Sequence, residues 1–243
     1  NTVIIKPSPF TPLSTLRMVE LMSAALPKGL INIISGGDEL GADLTSHPGI
    51  NKIVFTGSIA TGKKVMASAS EHVTPVTLEL GGNDPGILLP GTDPVPFVEG
   101  LFFGSMINSG QTCGALKRLY VHENDLNLTA QALVEFSKNI PMGDGMDESS
   151  LLGPLQNDRQ FNRVTELVED AKAAGAKVLI GGAPIGGANF FYPVTFVTDI
   201  SDGVRLVDEE QFGPVLPIIT YKDLDEAIQL ANGTHFGLDA SVW

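Results

Sequence analysis

The sequence has a single cysteine, Cys113, so it cannot form a disulfide within the chain. Cations are also scarce, because 15 Lys and Arg face 28 Asp and Glu, for a formal net charge of −13. Proteins that bind nucleic acid need surplus Lys and Arg against the phosphates, so we expect no nucleic-acid partner. No apolar run is long enough to span a bilayer, which argues against a membrane partner. Together these features favour a cytoplasmic location.

The signatures of several common enzyme classes are missing as well. The four histidines are scattered without metal-ligand spacing, and a second cysteine is lacking, so no metal site is expected. The chain lacks the G-x-G-x-x-G dinucleotide fingerprint, the P-loop and the G-x-S-x-G elbow of hydrolases. A Cys-His hydrolase stays open on these grounds, although no histidine stands in a motif.

The residues that are present favour a soluble α/β protein of two domains. Hydrophobic residues make up 43% of the 243 and charged residues 18%, which is typical of globular proteins. Short apolar runs alternate with amphipathic stretches, as in βα units on a parallel sheet. We predict a partial doubly wound, Rossmann-like parallel-sheet domain at 1–82 and a second α/β domain at 83–243, with the boundary at Gly81-Gly82.

The secondary-structure prediction follows the same pattern. In the first domain a helix is predicted with Thr11 as N-cap and Pro12 as first residue. The other helices are predicted at 58–70, 96–108, 125–138, 158–174 and 223–233, the last ended by Gly233. Strands are predicted at 3–6, 30–35, 52–57, 76–82, 86–89, 116–123, 176–182, 191–199, 215–221 and 240–243, and loops at 142–157 and 181–187.

Two positions in the first domain attract chemical interpretations. Gly57 and Ser58 follow an apolar strand and open a helix, where backbone N–H groups can hold an anion. An ordinary strand-to-helix turn is the alternative, and this stretch alone favours the turn. Glu79 stands between leucines at a strand end, where a buried carboxylate is costly unless it is paired, protonated or functional. An exposed strand-end carboxylate is the equal alternative for Glu79.

Cys113 is the candidate nucleophile. A free cysteine usually acts as a small buried hydrophobe, so core filler is the alternative. The surrounding stretch, SGQTCGAL, is small or polar and suits a loop. Such a setting gives a thiol the donors and the access that a nucleophile needs, and it shifts the interpretation toward chemistry.

Five stretches taken in order, IIKPSPFTPL, FTGSIATGKK, LELGGN, SGQTCGALKR and EEQFGPVLP, resemble the aldehyde dehydrogenase superfamily over essentially the whole chain. The resemblance implies that residues 1–82 are the second half of a dinucleotide-binding domain and residues 83–243 most of a catalytic domain. It implies an oxidoreductase that converts a small aldehyde to a carboxylic acid with NAD or NADP, in a homo-oligomeric parent protein. It also implies that Cys113 attacks the aldehyde carbon, that hydride leaves for the nicotinamide, and that water activated by Glu79 hydrolyses the thioester.

The resemblance further implies a set of cofactor contacts. Lys6 is placed at the adenosine ribose with Ser8 beside it, Gly57 and Ser58 at the pyrophosphate, and Gly82 among the cofactor-binding residues.

The remaining contacts concern the nicotinamide end of the cofactor. Glu210 is placed at the nicotinamide ribose and Phe212 beside the nicotinamide. For Glu210 the alternative is a solvated charge in an acidic run. Pro9 stands where NAD-preferring relatives often carry Glu, so the choice between NAD and NADP stays open.

Two other functions stay open. One is a relative that transfers the acyl group to coenzyme A or reduces an activated acyl group, although the presence of Glu79 tilts the expectation toward hydrolysis. The other is a catalytically silent nucleotide-binding fragment. The family's oxyanion-hole asparagine lies upstream of Lys6 and its closing catalytic segment downstream of Trp243, so we expect an internal piece of a longer protein. The identity of the aldehyde is not predicted.

Overall fold

The structure is a computed structural model, and it describes residues 1–186 and 189–243. It divides into two compact units, Asn1–Leu80, here called unit 1, and Gly81–Trp243, called unit 2. The predicted boundary follows residue 82, whereas this division follows residue 80. The roles of the two units stay predictions.

Unit 1 alternates strands and helices, and each predicted strand is present. Its strands form two parallel pairs, β1 with β2 and β3 with β4. The parallel pairing agrees with the predicted βα units, although the four strands form two separate pairs. In chain order the elements are β1 (Val3–Ile5), α1 (Leu13–Ala25), β2 (Ile31–Ile33), α2 (Asp38–Ser46), β3 (Ile53–Thr56), α3 (Ile59–Ser70) and β4 (Val76–Glu79).

Two details of unit 1 differ from the sequence prediction. Helix α1 begins at Leu13 with Pro12 as its N-cap residue, and no side chain caps it, so Thr11 does not serve as the cap. Helix α2 was not predicted, because its sequence DELGADLTS is short and has few apolar residues to set a period. Asp38 and Glu39 in its first turn favour a helix start there through the helix dipole.

Unit 2 contains a six-stranded sheet in the order β10-β5-β6-β9-β8-β7. All neighbouring strands are parallel except β7 and β8. The elements are β5 (Asp84–Leu88), α4 (Val98–Met106), β6 (Leu116–His122), α5 (Leu126–Ser137), α6 (Asp158–Ala173), β7 (Lys177–Ile180), β8 (Thr195–Thr198), α7 (Arg205–Asp208), β9 (Val215–Tyr221), α8 (Leu224–Ala231) and β10 (Ser241–Val242), with 3-10 turns at Val95–Phe97 and Ile107–Gly110.

The predicted elements of unit 2 are all present, and the short helix α7 is an addition. Helix α8 ends at Ala231 with Asn232 as its C-cap, and Gly233 follows. The loop predicted at 181–187 ends outside the described residues. No helix in the described part of the chain combines the length and the apolar character that a membrane crossing requires.

Both faces of the unit 2 sheet are covered, which buries β6 from Leu116 to Val121 and leaves only its last residue, His122, partly exposed. Tyr120 packs with residues of α6 such as Leu167, whereas Leu119 packs with residues of α4 and α5 such as Leu133. Successive strand residues point to opposite faces, so helices lie on both sides of the sheet. A polar side chain on β6 therefore cannot reach bulk water easily and needs a partner inside the protein.

Helix α5 offers a matched test of this core, because Leu133 is 0% exposed and Leu128 is 51% exposed. Leu133→Ala is expected to lower the free energy of unfolding of unit 2 by about 2–5 kcal/mol through lost burial and the cavity left behind. Leu128→Ala should stay within about 0.5 kcal/mol of the parent. Urea unfolding followed by the fluorescence of Trp243, the only tryptophan and a neighbour of the same cluster, measures both. Equal effects of the two changes would contradict the described core.

Candidate active site

Cys113 lies half-buried in the segment between α4 and β6, outside the hydrophobic clusters. The chain before it bends sharply, since Asn108, Ser109 and Gly110 have φ angles of 53°, 56° and 71°. Such left-handed conformations are strained for residues other than glycine, and they concentrate at functional sites. A Cβ added to Gly110 would lie 2.1 Å from the carbonyl oxygen of Gly213, so a side chain cannot fit there.

The bend is fixed by hydrogen bonds to the segment around Gly153. The hydroxyl of Ser109 donates to the carbonyl of Gly153 at 2.7 Å. The side chain of Gln111 donates to the carbonyl of Pro154 at 3.3 Å and accepts from the N–H of Gln156 at 2.9 Å. The predicted loop at 142–157 therefore supports the cysteine segment.

Lys117, on β6, holds the same segment from inside the protein. Its side chain is 2% exposed, and its Nζ donates to the carbonyls of Thr112 at 2.8 Å and Cys113 at 2.6 Å. Nζ also lies 3.5 Å from Oε1 of Glu210. Burial lowers the pKa of Lys117, while the carboxylates of Glu210 and Asp84 oppose that shift.

Glu210 points into the protein, with a side chain that is 20% exposed. Its Oε1 accepts from the N–H of Gly82 at 3.2 Å. Burial raises the pKa of Glu210, and the ammonium of Lys117 acts in the opposite direction. The neighbouring Glu209 instead forms ion pairs with Arg163 and Arg205, and of the three acidic residues in this run only Asp208 is exposed.

Two glycines allow these groups to approach one another. A Cβ on Gly81 would lie 2.1 Å from Oε2 of Glu210, and a Cβ on Gly82 would lie 2.9 Å from the carbonyl oxygen of Cys113. The turn at 81–82 therefore lies against both the Glu210 carboxylate and the cysteine segment.

Phe212 completes this group of residues. Its φ is 45°, and its carbonyl accepts from the side-chain amide of Gln160 at 3.0 Å, as does the carbonyl of Gln211 at 2.7 Å. The Nζ of Lys117 lies 5.9 Å from the centre of the Phe212 ring. The structure thus brings four of the predicted residues of unit 2 together around Lys117: Gly82, Cys113, Glu210 and Phe212.

Sequence reasoning missed the buried polar residues that support this group. Arg118 is 1% exposed and donates to the carbonyls of Asn83 at 2.7 Å and Ala231 at 2.9 Å. Asp84 is also buried, and its Oδ1 accepts from the N–H of Asp239 at 3.2 Å. The signal in the sequence is the pair of adjacent cations in LKRLYV, an otherwise apolar strand in which charges require partners.

In unit 1 the predicted residues Gly57, Ser58 and Glu79 lie at the ends of β3 and β4. The N–H of Gly57 donates to the backbone carbonyl of Glu79 at 3.0 Å. The side chain of Glu79 is exposed at the strand end. This position agrees with the exposed strand-end carboxylate that the local sequence pattern offered as the alternative to a buried one. Ser58 caps α3, since its hydroxyl accepts from the N–H of Thr61 at 3.2 Å.

The two remaining predicted residues lie just after β1. The Nζ of Lys6 donates to the carbonyl of Pro7 at 3.2 Å, and within the described residues it forms no ion pair. Ser8 is exposed, and its hydroxyl accepts from the N–H of Phe10 at 3.3 Å. The roles of the predicted residues in both units stay predictions. In residues 1–186 and 189–243, no group of three or more His, Cys, Asp and Glu side chains could hold a metal ion.

Known proteins resemble the chain over its full length. The sequence model of the Aldehyde dehydrogenase family matches residues 1–243. The chain is 41% identical over 247 residues to aldehyde dehydrogenase LUC3 of Fusarium sp, an alignment that covers 100% of this chain and 52% of that protein. It is 41% identical over 245 residues to the chloroplastic aminoaldehyde dehydrogenase ALDH10A8 of Arabidopsis thaliana, covering 99% of this chain and 49% of that protein.

Solved structures agree with these matches. Lactaldehyde dehydrogenase from Escherichia coli has a TM-score of 0.96 and 34% identity, covering 100% of this chain and 52% of that one. Betaine aldehyde dehydrogenase from Staphylococcus aureus, in complex with NAD+, has a TM-score of 0.93 and 35% identity, covering 100% and 49%. The chain thus spans about half the length of the curated relatives that it matches. Because the family's sequence model extends over all of its residues, the chain belongs to the aldehyde dehydrogenase family.

Proposed function

We propose that the protein containing this chain oxidises an aldehyde to a carboxylic acid through a thioester on Cys113, with NAD+ or NADP+ as hydride acceptor. The observation that carries the proposal is the cysteine segment of unit 2. A half-buried thiol stands on a strained bend whose backbone is held by a buried ammonium. Family membership supports aldehyde oxidation in general. The specific roles of Cys113 and Glu79 are part of our proposal.

The residues around Glu210 fit a dinucleotide. Oε1 of Glu210 is engaged by Gly82, while Oε2 accepts no hydrogen bond from the described residues of unit 2. A carboxylate oxygen of this kind can accept from the hydroxyls of a ribose. Oε2 can take its place because residue 81 is a glycine, and the ring of Phe212 lies close to the Lys117 ammonium that Glu210 contacts. NAD+ is bound by the similar Staphylococcus aureus enzyme, and Pro9 leaves NADP+ equally open here.

The chemistry at Cys113 follows from the properties of a thiolate. After losing its proton, Sγ bonds to the aldehyde carbon, and the carbonyl electron pair moves to oxygen to give a thiohemiacetal anion. Bound NAD(P)+ supplies the acceptor for the hydride that this carbon loses, which leaves Cys113 as a thioester. The N–H of Cys113 forms no hydrogen bond within the described part of unit 2, so it can donate to the developing oxyanion.

Glu79 is the proposed base for the second half of the reaction. Its exposed carboxylate takes one proton from a water molecule while the water oxygen attacks the thioester carbon. The carbon–sulfur bond then breaks, the electron pair returns to Sγ, and the carboxylic acid leaves.

The substrate is proposed only as a small aldehyde, and the cytoplasmic location and homo-oligomeric state are predictions. Aminoaldehyde dehydrogenase of Arabidopsis thaliana, a relative, is chloroplastic.

Replacement of the nucleophile tests the first half of this proposal. In the full protein, Cys113→Ala is expected to lower kcat for aldehyde oxidation by about a thousandfold or more, since no other thiol exists in this chain. Cofactor affinity, measured by fluorescence titration, should remain near that of the parent because the side chain is not a cofactor ligand in the proposal. Turnover at the parental rate would refute the nucleophilic role.

Replacement of Glu79 tests the second half. Glu79→Gln is expected to give a burst of reduced cofactor of about one equivalent per Cys113, followed by slow turnover, because the thioester forms but water is not activated. Stopped-flow absorbance of the reduced cofactor measures both phases. Glu71→Gln, another exposed carboxylate of unit 1, is the matched control and should turn over normally. Steady turnover of the Glu79 variant would exclude it as the base, and restored turnover with coenzyme A would indicate acyl transfer instead.

A further inference from the structure

Lys117 is a buried charged residue that the proposed mechanism does not use, and among the buried charges it is the one in contact with the cysteine segment. A lone ammonium inside a sheet covered on both faces is strongly disfavoured, because burial removes its hydration. Its burial is tolerated here because Nζ meets three acceptors, the carbonyls of Thr112 and Cys113 and the carboxylate of Glu210. All three belong to the segment of the proposed nucleophile or to the proposed ribose ligand. The ammonium thus joins two segments that lie far apart in the sequence.

The two carbonyls determine the orientation of the backbone at Cys113. The carbonyl of Thr112 and the N–H of Cys113 belong to one planar trans peptide, so they point in opposite directions. Because the Thr112 carbonyl points at Nζ, the N–H of Cys113 points away from Lys117. That N–H forms no hydrogen bond within the described part of unit 2. A hydrogen bond from a cation to the carbonyl also polarises the peptide and strengthens its N–H as a donor.

The carboxylate contact gives Lys117 a second effect. Burial raises the pKa of Glu210, and Lys117 is the cation that opposes this rise, whereas the nearby Asp84 adds to it. Asp84 and Glu210 are likewise the carboxylates that favour the charged form of Lys117. Loss of the ammonium would therefore leave Glu210 protonated at a pH where the parent carboxylate is ionised.

We propose that Lys117 is a positioning residue, which aims the Cys113 N–H as an oxyanion donor and keeps Glu210 ionised and in place for the cofactor. The oxyanion part rests on the proposed function, whereas the Glu210 part requires only that a dinucleotide binds. Lys117 touches neither substrate nor cofactor in this scheme and acts through Thr112, Cys113 and Glu210.

The test compares Lys117→Met with the parent in the full protein. Without the ammonium, kcat is expected to fall by about ten- to a hundredfold with little change in the KM for aldehyde, as for a misaligned oxyanion donor. The midpoint at which NAD+ or NADP+ affinity is lost on acidification should move to higher pH, since Glu210 protonates earlier. Steady-state kinetics and fluorescence titration of the cofactor across pH measure the two effects.

Two further variants separate positioning from structural support. Lys172→Met removes a lysine of α6 that also bridges a carboxylate, Glu169, and a backbone carbonyl, that of Gly182, and it should leave both readouts unchanged. Lys117→Arg keeps the positive charge but cannot reproduce the three contacts that Nζ makes with the two carbonyls and the Glu210 carboxylate. It should therefore retain the parental pH midpoint, while kcat stays as low as in Lys117→Met.

If Lys117→Met fails to fold, the double variant Lys117→Met/Glu210→Gln removes the unpaired carboxylate as well. Its kcat at saturating cofactor is then compared with that of Glu210→Gln alone, and a further loss of about tenfold is expected.

A folded Lys117→Met protein with parental kcat and parental pH midpoint would overturn the inference. A kcat loss without a midpoint shift would overturn the Glu210 part alone. Parental turnover in Cys113→Ala would instead defeat the proposed function, while the pH midpoint would still decide the role of Lys117 toward Glu210.

Discussion

Strand β6 carries two adjacent cations, Lys117 and Arg118, into a sheet that is covered on both faces. Neighbouring strand residues point in opposite directions, so the two cations must find partners on different sides of the sheet. Arg118 donates hydrogen bonds to the carbonyl of Asn83, next to the first strand of unit 2, and to the carbonyl of Ala231, at the end of α8. Lys117 donates hydrogen bonds to the carbonyls of Thr112 and Cys113. The arrangement of the loops at this end of the sheet follows from the need to satisfy these two charges.

This dependence explains why the cysteine segment has an irregular backbone. Two successive carbonyls, those of Thr112 and Cys113, converge on one ammonium, which the alternating carbonyls of a regular strand do not allow. The left-handed residues just before them redirect the chain into that arrangement. Buried ion pairs are weak evidence for stability, since apolar replacements are often as stable. The value of the ammonium therefore lies in the conformation it selects rather than in the stability it adds.

The sequence was sufficient for most elements of the fold but not for the partners inside the site. Apolar runs bounded by Gly and Pro marked β1 to β10, because burial and chain reversal act locally. Helices α2 and α7 were missed, since their few apolar residues set no period. Motifs predicted Cys113 and Glu210 as site residues, whereas Lys117 was assigned only to a strand. Its role depends on Glu210, which is remote in sequence, and such contacts are decided by tertiary packing. For Glu79 the local pattern left two interpretations open and the resemblance assigned the role of base, which stays a prediction; its exposure came from the structure.

The contact between Gly110 and Gly213 limits how the chain can diverge. A Cβ at 110 would meet the backbone of 213, a segment that follows directly after Glu210 and Phe212. The bend before the cysteine and the turn after the glutamate are thus in backbone contact, and residue 110 can carry a side chain only if the backbone at 213 moves. The two segments are therefore expected to change together rather than one at a time wherever residue 110 is no longer a glycine.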